Sequence, residues 1–265
     1  MKDQQSLWMK LEKTVGLQKL IALIALIVIF GFFAISSESF RSFDTAVSIL
    51  DASYYIGFLA IGVTFVIITS GIDLSIGTVM MCSAIIGGVL HTKLGWPLWL
   101  SLLAILVIGG VFGLFNGILI AKFGLPPFIA TLGTMMISRG LSSIVSNVQS
   151  VTFPLRGTGE GWYKDLFRTK ENFPTGLIVL IIIAIIAAIV LNKTKIGRYI
   201  FAIGSNKEAT RLSGVNVIKW EAMAYVISGL FAGLAGIAYA ATYSTILPGT
   251  GNGMELDAIA GVVVG

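Results

Sequence analysis

Long uncharged runs alternate with short charged segments along this chain of 265 residues. The runs lie at 20–37, 52–72, 74–92, 94–121, 172–192 and 222–254. A helix needs about 20 mostly apolar residues to cross a bilayer, and each run meets or approaches that length. The stretch IVLIIIAIIAAIVL at 178–191 is apolar all round, whereas an outer-membrane strand would alternate over about ten residues. The pattern predicts an all-α fold, a polytopic membrane helix bundle. Six crossings are expected ahead of a basic loop at 193–221: residues 20–37, 52–72, 74–92, 97–121, 128–151 and 172–192.

Charge orients the bundle, because cytoplasmic loops carry an excess of Lys and Arg. Residues 1–19 hold Lys2, Lys10, Lys13 and Lys19 against Asp3 and Glu12, so the N-terminus is expected in the cytoplasm. The loop 193–221 has six basic residues and two acids, a second inside signal that six crossings satisfy by parity. Segment 38–51, with Glu38, Asp44 and Asp51 against Arg41, reads as outside, while 156–171 carries four bases and three acids and decides nothing. The fifth crossing is the weakest because Arg139 lies within it. The first run ends in AIS at 34–36, like a secretory cleavage site, but its apolar core exceeds the roughly 7–15 residues of a signal peptide, and a retained helix is expected.

Composition agrees with membrane insertion: 56% of residues are hydrophobic, 12% are charged, and the mean hydropathy is +0.92. A soluble domain would carry about a quarter charged residues. The net charge of +5 suggests no nucleic-acid role, since basic residues beside membrane helices chiefly set orientation. One cysteine, Cys82, and one histidine, His91, exclude a disulfide framework and a Cys/His metal cluster. Cys82 reads as a packing residue and His91 as an interfacial one. No G-x-x-x-x-G-K-[ST] loop is present, so the chain has no phosphate cradle of that kind for ATP.

Irregular backbone is tolerated at membrane depth only where protein or a water-filled cavity surrounds it, so breaks in the apolar pattern mark candidate sites. The first is SGIDLSIG, where Gly71 and Gly77 bracket Asp73 and Ser75. Asp73 is expected to cap the following helix and fix a break; the sharper alternative is a proton or cation site. The second is FGLPPFIATLGT, where Pro126 and Pro127 predict a kinked or re-entrant segment followed by Thr131, Gly133 and Thr134. Arg139 must face a partner, a cavity or an interface. Small residues at four-residue spacing, Gly109, Gly113 and Gly117 and then Gly229 and Gly233, predict two helix-packing faces. Asn116, within the first, is placed to bond a neighbouring helix or a polar solute.

In the basic loop, NKEATRLSGVNV at 206–217 predicts a short helix with Asn206 as N-cap, Glu208 in the first turn and Gly214 as a left-handed stop. Ala209 and Leu212 share a narrow apolar face that either a partner or lipid headgroups would cover.

GIDLSIG, LPPFIATLGTMMISRGL, TKIGRYIFAIGSNKEATRLSGVNV and MELDAIAGVVVG occur here in that order. Together they resemble the permease subunits of bacterial ABC importers of the ribose, xylose and galactose type, over most of the chain from about residue 45. The resemblance implies a type II importer permease fold with broken or re-entrant helices, forming the path for a monosaccharide-like solute in the bacterial inner membrane. It further implies a second copy or related permease, two ATPase subunits that bind the ATP, and an extracytoplasmic sugar-binding protein. No cofactor is implied for the chain itself.

Residues 206–217 are similar to the family's coupling helix. Glu208-Ala209-Thr210 followed by Gly214 resembles E-A-A-x-x-x-G, with Thr210 in place of an alanine. On that basis Asn206, Lys207, Glu208, Ala209, Thr210, Leu212 and Gly214 are candidate ATPase-coupling residues. Asp73, Ser75, Asn116, Pro126, Pro127, Thr131 and Arg139 are candidates for the path or its helix breaks.

The expected organisation is a cytoplasmic segment, 1–19, and one transmembrane domain, 20–265, with the coupling loop inside it. Because the apolar run at 258–265 stops short of a span, further helices are expected beyond it, and Glu255 and Asp257 are expected as helix-start acids. Permeases of this resemblance handle pentoses, hexoses, inositols and autoinducer-2. A competing reading is an ion-coupled secondary transporter using Asp73 and Arg139. A membrane enzyme lacks any nucleophile–base pair here.

Overall fold

A computed structural model describes residues 17–169 and 173–264. The expected inside signal of Lys2, Lys10 and Lys13 lies outside the described residues. The helices are α1 (Leu17–Ser36), α2 (Phe43–Ile68), α3 (Ile76–Thr92), α4 (Leu98–Gly117), α5 (Pro127–Ser146), α6 (Lys164–Phe167), α7 (Thr175–Lys193), α8 (Lys195–Ser205), α9 (Lys207–Leu212), α10 (Val217–Tyr243) and α11 (Met254–Val264). A π-helical turn, Ile118–Lys122, extends α4. Two short strands, β1 (Val151–Thr152) and β2 (Thr245–Ile246), pair antiparallel with Val151 opposite Ile246. Among the described residues six helices are long and apolar enough to cross a membrane: α1, α2, α4 with its π-turn, α5, α7 and α10. The 17 residues of α3 rise about 25 Å, short of the ~30 Å hydrocarbon core.

The second crossing begins at Phe43, not at 52, and takes in two acids. Asp44 sits in the first turn, and Ser42 caps the helix by accepting from the Thr45 amide. Asp51, 3% exposed, accepts from the Thr169 amide at 3.1 Å and from its hydroxyl at 2.8 Å. A buried carboxylate is tolerated where it is hydrogen-bonded and paired, and Arg168 Nε lies 3.6 Å from Asp51 Oδ2.

The proline pair also departs from expectation. Pro126 is the N-cap and Pro127 the first residue of α5, a position where the missing N–H costs nothing. The pair starts a helix instead of kinking one.

The core lies where α2, α3, α4 and α10 meet, around Tyr54, Phe58, Val63, Met80, Ile85 and Ile105. The two glycine faces meet each other. A methyl on Gly109 would strike the Gly229 carbonyl, one on Gly113 the Tyr225 carbonyl, and one on Gly229 the Gly109 carbonyl. Backbone thus packs on backbone between α4 and α10. By contrast α7 buries only Gly176 and Ala187 and exposes Ile181, Ile182, Ile185, Ile186 and Ile189, a surface suited to lipid.

The helix ends segregate to two faces. One face gathers Thr69, Ser70, Gly124 to Pro127, Ile203 to Lys207 and Glu221. The other carries the β1–β2 pair, the Asp51–Thr169 contacts, Lys93 donating to the Ser146 carbonyl at 3.2 Å, and His91 3.3 Å from Glu160. The chain passes from Thr69 and Ser70 on the first face to His91 and Lys93 on the second through the non-helical stretch 71–75 and α3 together, so this segment completes the alternation of the five long helices ahead of α8. After β2 the chain turns through Gly249, Gly251 and Gly253, all at positive φ, and α11 begins with Glu255 and Asp257 in its first turn.

Candidate functional site

After α2 the chain runs without helix from Gly71 to Ser75. Asp73, 1% exposed, is the centre of a buried polar chain. Its Oδ1 accepts from the Ser75 amide at 3.0 Å and the Ser75 hydroxyl at 2.7 Å, and Oδ2 accepts from the Ser228 hydroxyl of α10 at 2.9 Å. Asn116 of α4 donates to Ser75 Oγ at 2.9 Å, and Thr134 of α5 donates to Asn116 Oδ1 at 2.5 Å. One turn further along α3, the Ser138 hydroxyl donates to Thr78 Oγ1 at 2.8 Å. The residue flanking α3 as N-cap is Ser75, not Asp73. Asp73 lies two residues before that N-cap, so it closes a turn over the Ser75 amide and spends its second oxygen on α10.

The depth of this hub follows from helix rise. Thr134 lies seven residues beyond Pro127 and Ser228 eleven beyond Val217, or about 10 and 16 Å from those helix starts at 1.5 Å per residue. The space between Asp73, Ser75, Asn116 and Gly113 is too small for a water molecule. No group of three or more His, Cys, Asp and Glu side chains able to hold a metal occurs among the described residues. Both carboxylate oxygens are satisfied by donors of the chain itself, which is the arrangement of a structural hub and not of an open ion site.

The basic loop forms a separate cluster. Asn206 caps α9 by accepting from the Ala209 amide at 2.9 Å, and Gly214 takes φ +81 beyond its end. The helix ends at Leu212 with Ser213 as C-cap, just ahead of the Gly214 stop, and Asn216 then begins α10 by accepting from the Lys219 amide. Glu208 pairs with Arg211 at 2.9 Å. Lys207 pairs with Glu221 of α10 at 2.8 Å. Thr210 is buried and donates to the carbonyls of Ala202 at 2.9 Å and Asn206 at 2.8 Å, so the threonine that departs from the motif pins α9 onto α8. Leu212 is 80% exposed and Ala209 is exposed beside it. A groove of about 450 Å³ runs between this loop, Thr69, Ser70 and the Gly124 to Pro127 turn.

The sequence-predicted residues therefore separate into three places. Asp73, Ser75 and Asn116 join in the hub. Thr131 is buried one turn from Thr134 but donates to its own helix at Pro127. Pro126 and Pro127 belong to the loop face. Arg139 stands apart and donates through Nε to the Gly249 carbonyl at 3.2 Å. Sequence reasoning missed Ser228, whose only signal is a hydroxyl next to the glycine face. It also missed Lys164, which is 1% exposed and donates to Ser244 on the opposite face. Burial, with Arg168 and Arg156 nearby, holds the Lys164 ammonium below the usual lysine range.

A bundle of apolar helices with a broken third helix, an intramembrane polar hub and an uncovered helix on a basic loop defines a membrane transport component. Residues 45–265 match the family described as branched-chain amino acid transport system / permease component, and the chain belongs to that family. It is 37% identical over 224 residues to the fructose import permease protein of Bifidobacterium longum, covering 82% of this chain and 65% of that one. The ribose import permease protein of Haemophilus influenzae is 36% identical over 248 residues, 91% of this chain and 75% of that one. The xylose transport system permease protein of the same organism is 28% identical over 312 residues, 96% of this chain and 83% of that one. The chain thus spans about two thirds to four fifths of the length of these relatives. No solved structure matches.

Proposed function

We propose that this chain is the membrane permease subunit of an ATP-binding-cassette importer that carries a monosaccharide or similar small polyol-like solute into the cytoplasm. Three relatives are named for fructose, ribose and xylose, which favours a sugar over the amino acids of the family's description. ATP is bound and hydrolysed on a separate ATPase subunit, a binding protein delivers the solute from outside, and a second permease copy or related chain completes the path. The N-terminus and the α8–α9 loop lie on the cytoplasmic side of a bacterial plasma membrane.

The observation that carries this reading is the connection from α9 to the hub. The exposed Ala209 and Leu212 of α9 form the docking face for the ATPase. Thr210 fixes α9 to α8 and Lys207 fixes it to Glu221. Seven residues along α10, on the same helical face, Ser228 reaches Asp73. Closure of the ATPase dimer displaces α9, α10 follows, and the hub transmits the shift to α3, α4 and α5. Such coupling requires the two states to differ in their contacts with the nucleotide-loaded ATPase. Asp73 and Ser75 hold the break that this movement uses, with Asn116 and Thr131 on the flanking helices, while Pro126 and Pro127 set the α4–α5 turn beside the docking groove.

ATPase activity in lipid tests the proposal, with the permease co-expressed with its ATPase and binding protein. Glu208→Ala and Gly214→Pro are expected to insert normally and lose binding-protein-stimulated hydrolysis. Undiminished stimulation in both variants, or uptake that follows an ion gradient without any associated ATPase, overturns it.

A further inference from the structure

Arg139 is the thirteenth of the 20 residues of α5, about 10 Å of helix from the Ser146 end and about 18 Å from Pro127. It is partly exposed. Its Nε donates to the Gly249 carbonyl at 3.2 Å, while the Gly249 amide donates to Ser142 Oγ at 3.1 Å. The guanidinium is therefore pinned at depth and not free to reach back to the membrane surface. Among the described residues its two Nη nitrogens meet no hydrogen-bond partner and no carboxylate. Four N–H donors and a full positive charge are left on the outer side of a crossing helix, a costly arrangement against hydrocarbon.

The surface around it differs from the lipid-suited face of α7. Where α7 presents a run of isoleucines, α5 sets two open glycines beside Arg139 and the exposed Met136 and Ile137: a methyl placed on Gly133 or Gly140 would meet nothing within 4 Å. Of the six long crossings α5 is among the least apolar, and α7 the most. The loop beside Arg139 adds further polar groups in the exposed Asn252 and the partly exposed Thr250.

We propose that the α5 face carrying Gly133, Met136, Arg139 and Gly140 lines the aqueous solute path, and that the Arg139 Nη groups donate hydrogen bonds to hydroxyl oxygens of the passing sugar. The inference rests on the importer reading and adds a solute-contacting group to it. A planar fork of N–H donors suits adjacent hydroxyl oxygens of a polyol. Thr250 and Asn252, one and three residues beyond Gly249 on the same loop, carry oxygens of the kind that accept from hydroxyl hydrogens. Water covers the guanidinium between solutes.

Two measurements on the full-length transporter in proteoliposomes test this. Single cysteines at Gly133, Met136 and Gly140 in a Cys82→Ala background are exposed to a charged, membrane-impermeant thiol reagent, with Ile181→Cys and Ile185→Cys as lipid-facing controls. The three path positions are expected to label at least tenfold faster than the controls. Equal rates in both sets overturn the proposal, and this readout does not depend on ATP coupling. In the second, uptake of radiolabelled ribose, xylose and fructose is compared in wild type, Arg139→Lys and Arg139→Gln. Glutamine keeps a donor for the Gly249 carbonyl, so a purely loop-holding role predicts normal uptake in that variant. The solute contact predicts a rise of tenfold or more in KM with binding-protein-stimulated hydrolysis retained. Unchanged KM in Arg139→Gln overturns it, whereas absence of stimulated hydrolysis in wild type refutes the importer reading itself.

Discussion

Ser228 donates to Asp73 Oδ2 at 2.9 Å across 155 positions of sequence, joining the break after α2 to the middle of α10. Through Ser75 and Asn116 the same carboxylate reaches α4 and α5. Three donors converge on its two oxygens, and none of them is charged.

Asp73→Asn removes one acceptor oxygen and points an N–H₂ group at a neighbouring donor. A buried polar group left without its partner costs about 1–3 kcal/mol. The variant is expected to insert and assemble, melt at a lower temperature in detergent, and transport at a reduced rate. Complete loss of uptake together with loss of proton dependence would point instead to an ion-coupled mechanism.

Gly113→Ala tests the contact between α4 and α10. A methyl there meets the Tyr225 carbonyl, and overpacking of a tight interface costs about 1–3 kcal/mol. Gly31→Ala, where nothing lies within 4 Å, is the matched control and is expected to leave folding unharmed. Thermal unfolding of the two purified variants separates them; equal melting temperatures would show that the glycine faces are not in contact.

Thr210→Val keeps the shape of the side chain but removes the hydroxyl that bonds Ala202 and Asn206. The loss of such a hydrogen bond is worth about 1 kcal/mol, enough to loosen α9 without unfolding the bundle. Binding-protein-stimulated hydrolysis should fall several-fold in Thr210→Val and recover in Thr210→Ser. Equal stimulation in all three proteins would mean that α9 needs no anchor on α8.

Lys164 gives a pH dependence with a defined sign. Its folded pKa lies below the ordinary lysine value, so in the alkaline window between the two the unfolded chain binds more protons. Stability then rises with pH across that window, up to about pH 10.4. Denaturation in detergent from pH 8 to 10.5 should show this rise in the difference between wild type and Lys164→Met, because burial raises the Tyr163 phenol in both proteins and its opposite contribution cancels in that difference. A flat difference would mean that the ammonium is not disfavoured by its surroundings.

The apolar runs made the crossings legible, because hydrocarbon leaves helices few alternatives, and Asn206 and Gly214 marked the ends of α9 through cap chemistry. The N-terminal extension of α2 was hidden, since Asp44 and Asp51 read as loop acids until the Ser42 cap and Thr169 are seen to satisfy the backbone and the buried carboxylate. Pro126 and Pro127 carry the same letters whether they kink a helix or start one. The hub was half legible: Asp73, Ser75 and Asn116 interrupt apolar pattern, whereas Ser228 is a small residue among small residues. The partner of Arg139 is a backbone carbonyl, which every residue possesses, so no sequence signal could name it.

The meeting of the two glycine faces bears on which parts of the molecule are free to move. Where main chain rests on main chain there are no long side chains to swing between rotamers, and any sliding drives carbonyls into one another. The α4–α10 pair is accordingly built to resist relative sliding and is expected to move as one body. Angular change must be absorbed elsewhere, because the non-helical Gly71 to Ser75 stretch is tied by side-chain hydrogen bonds to both members of that pair, Ser228 and Asn116, and moves with them.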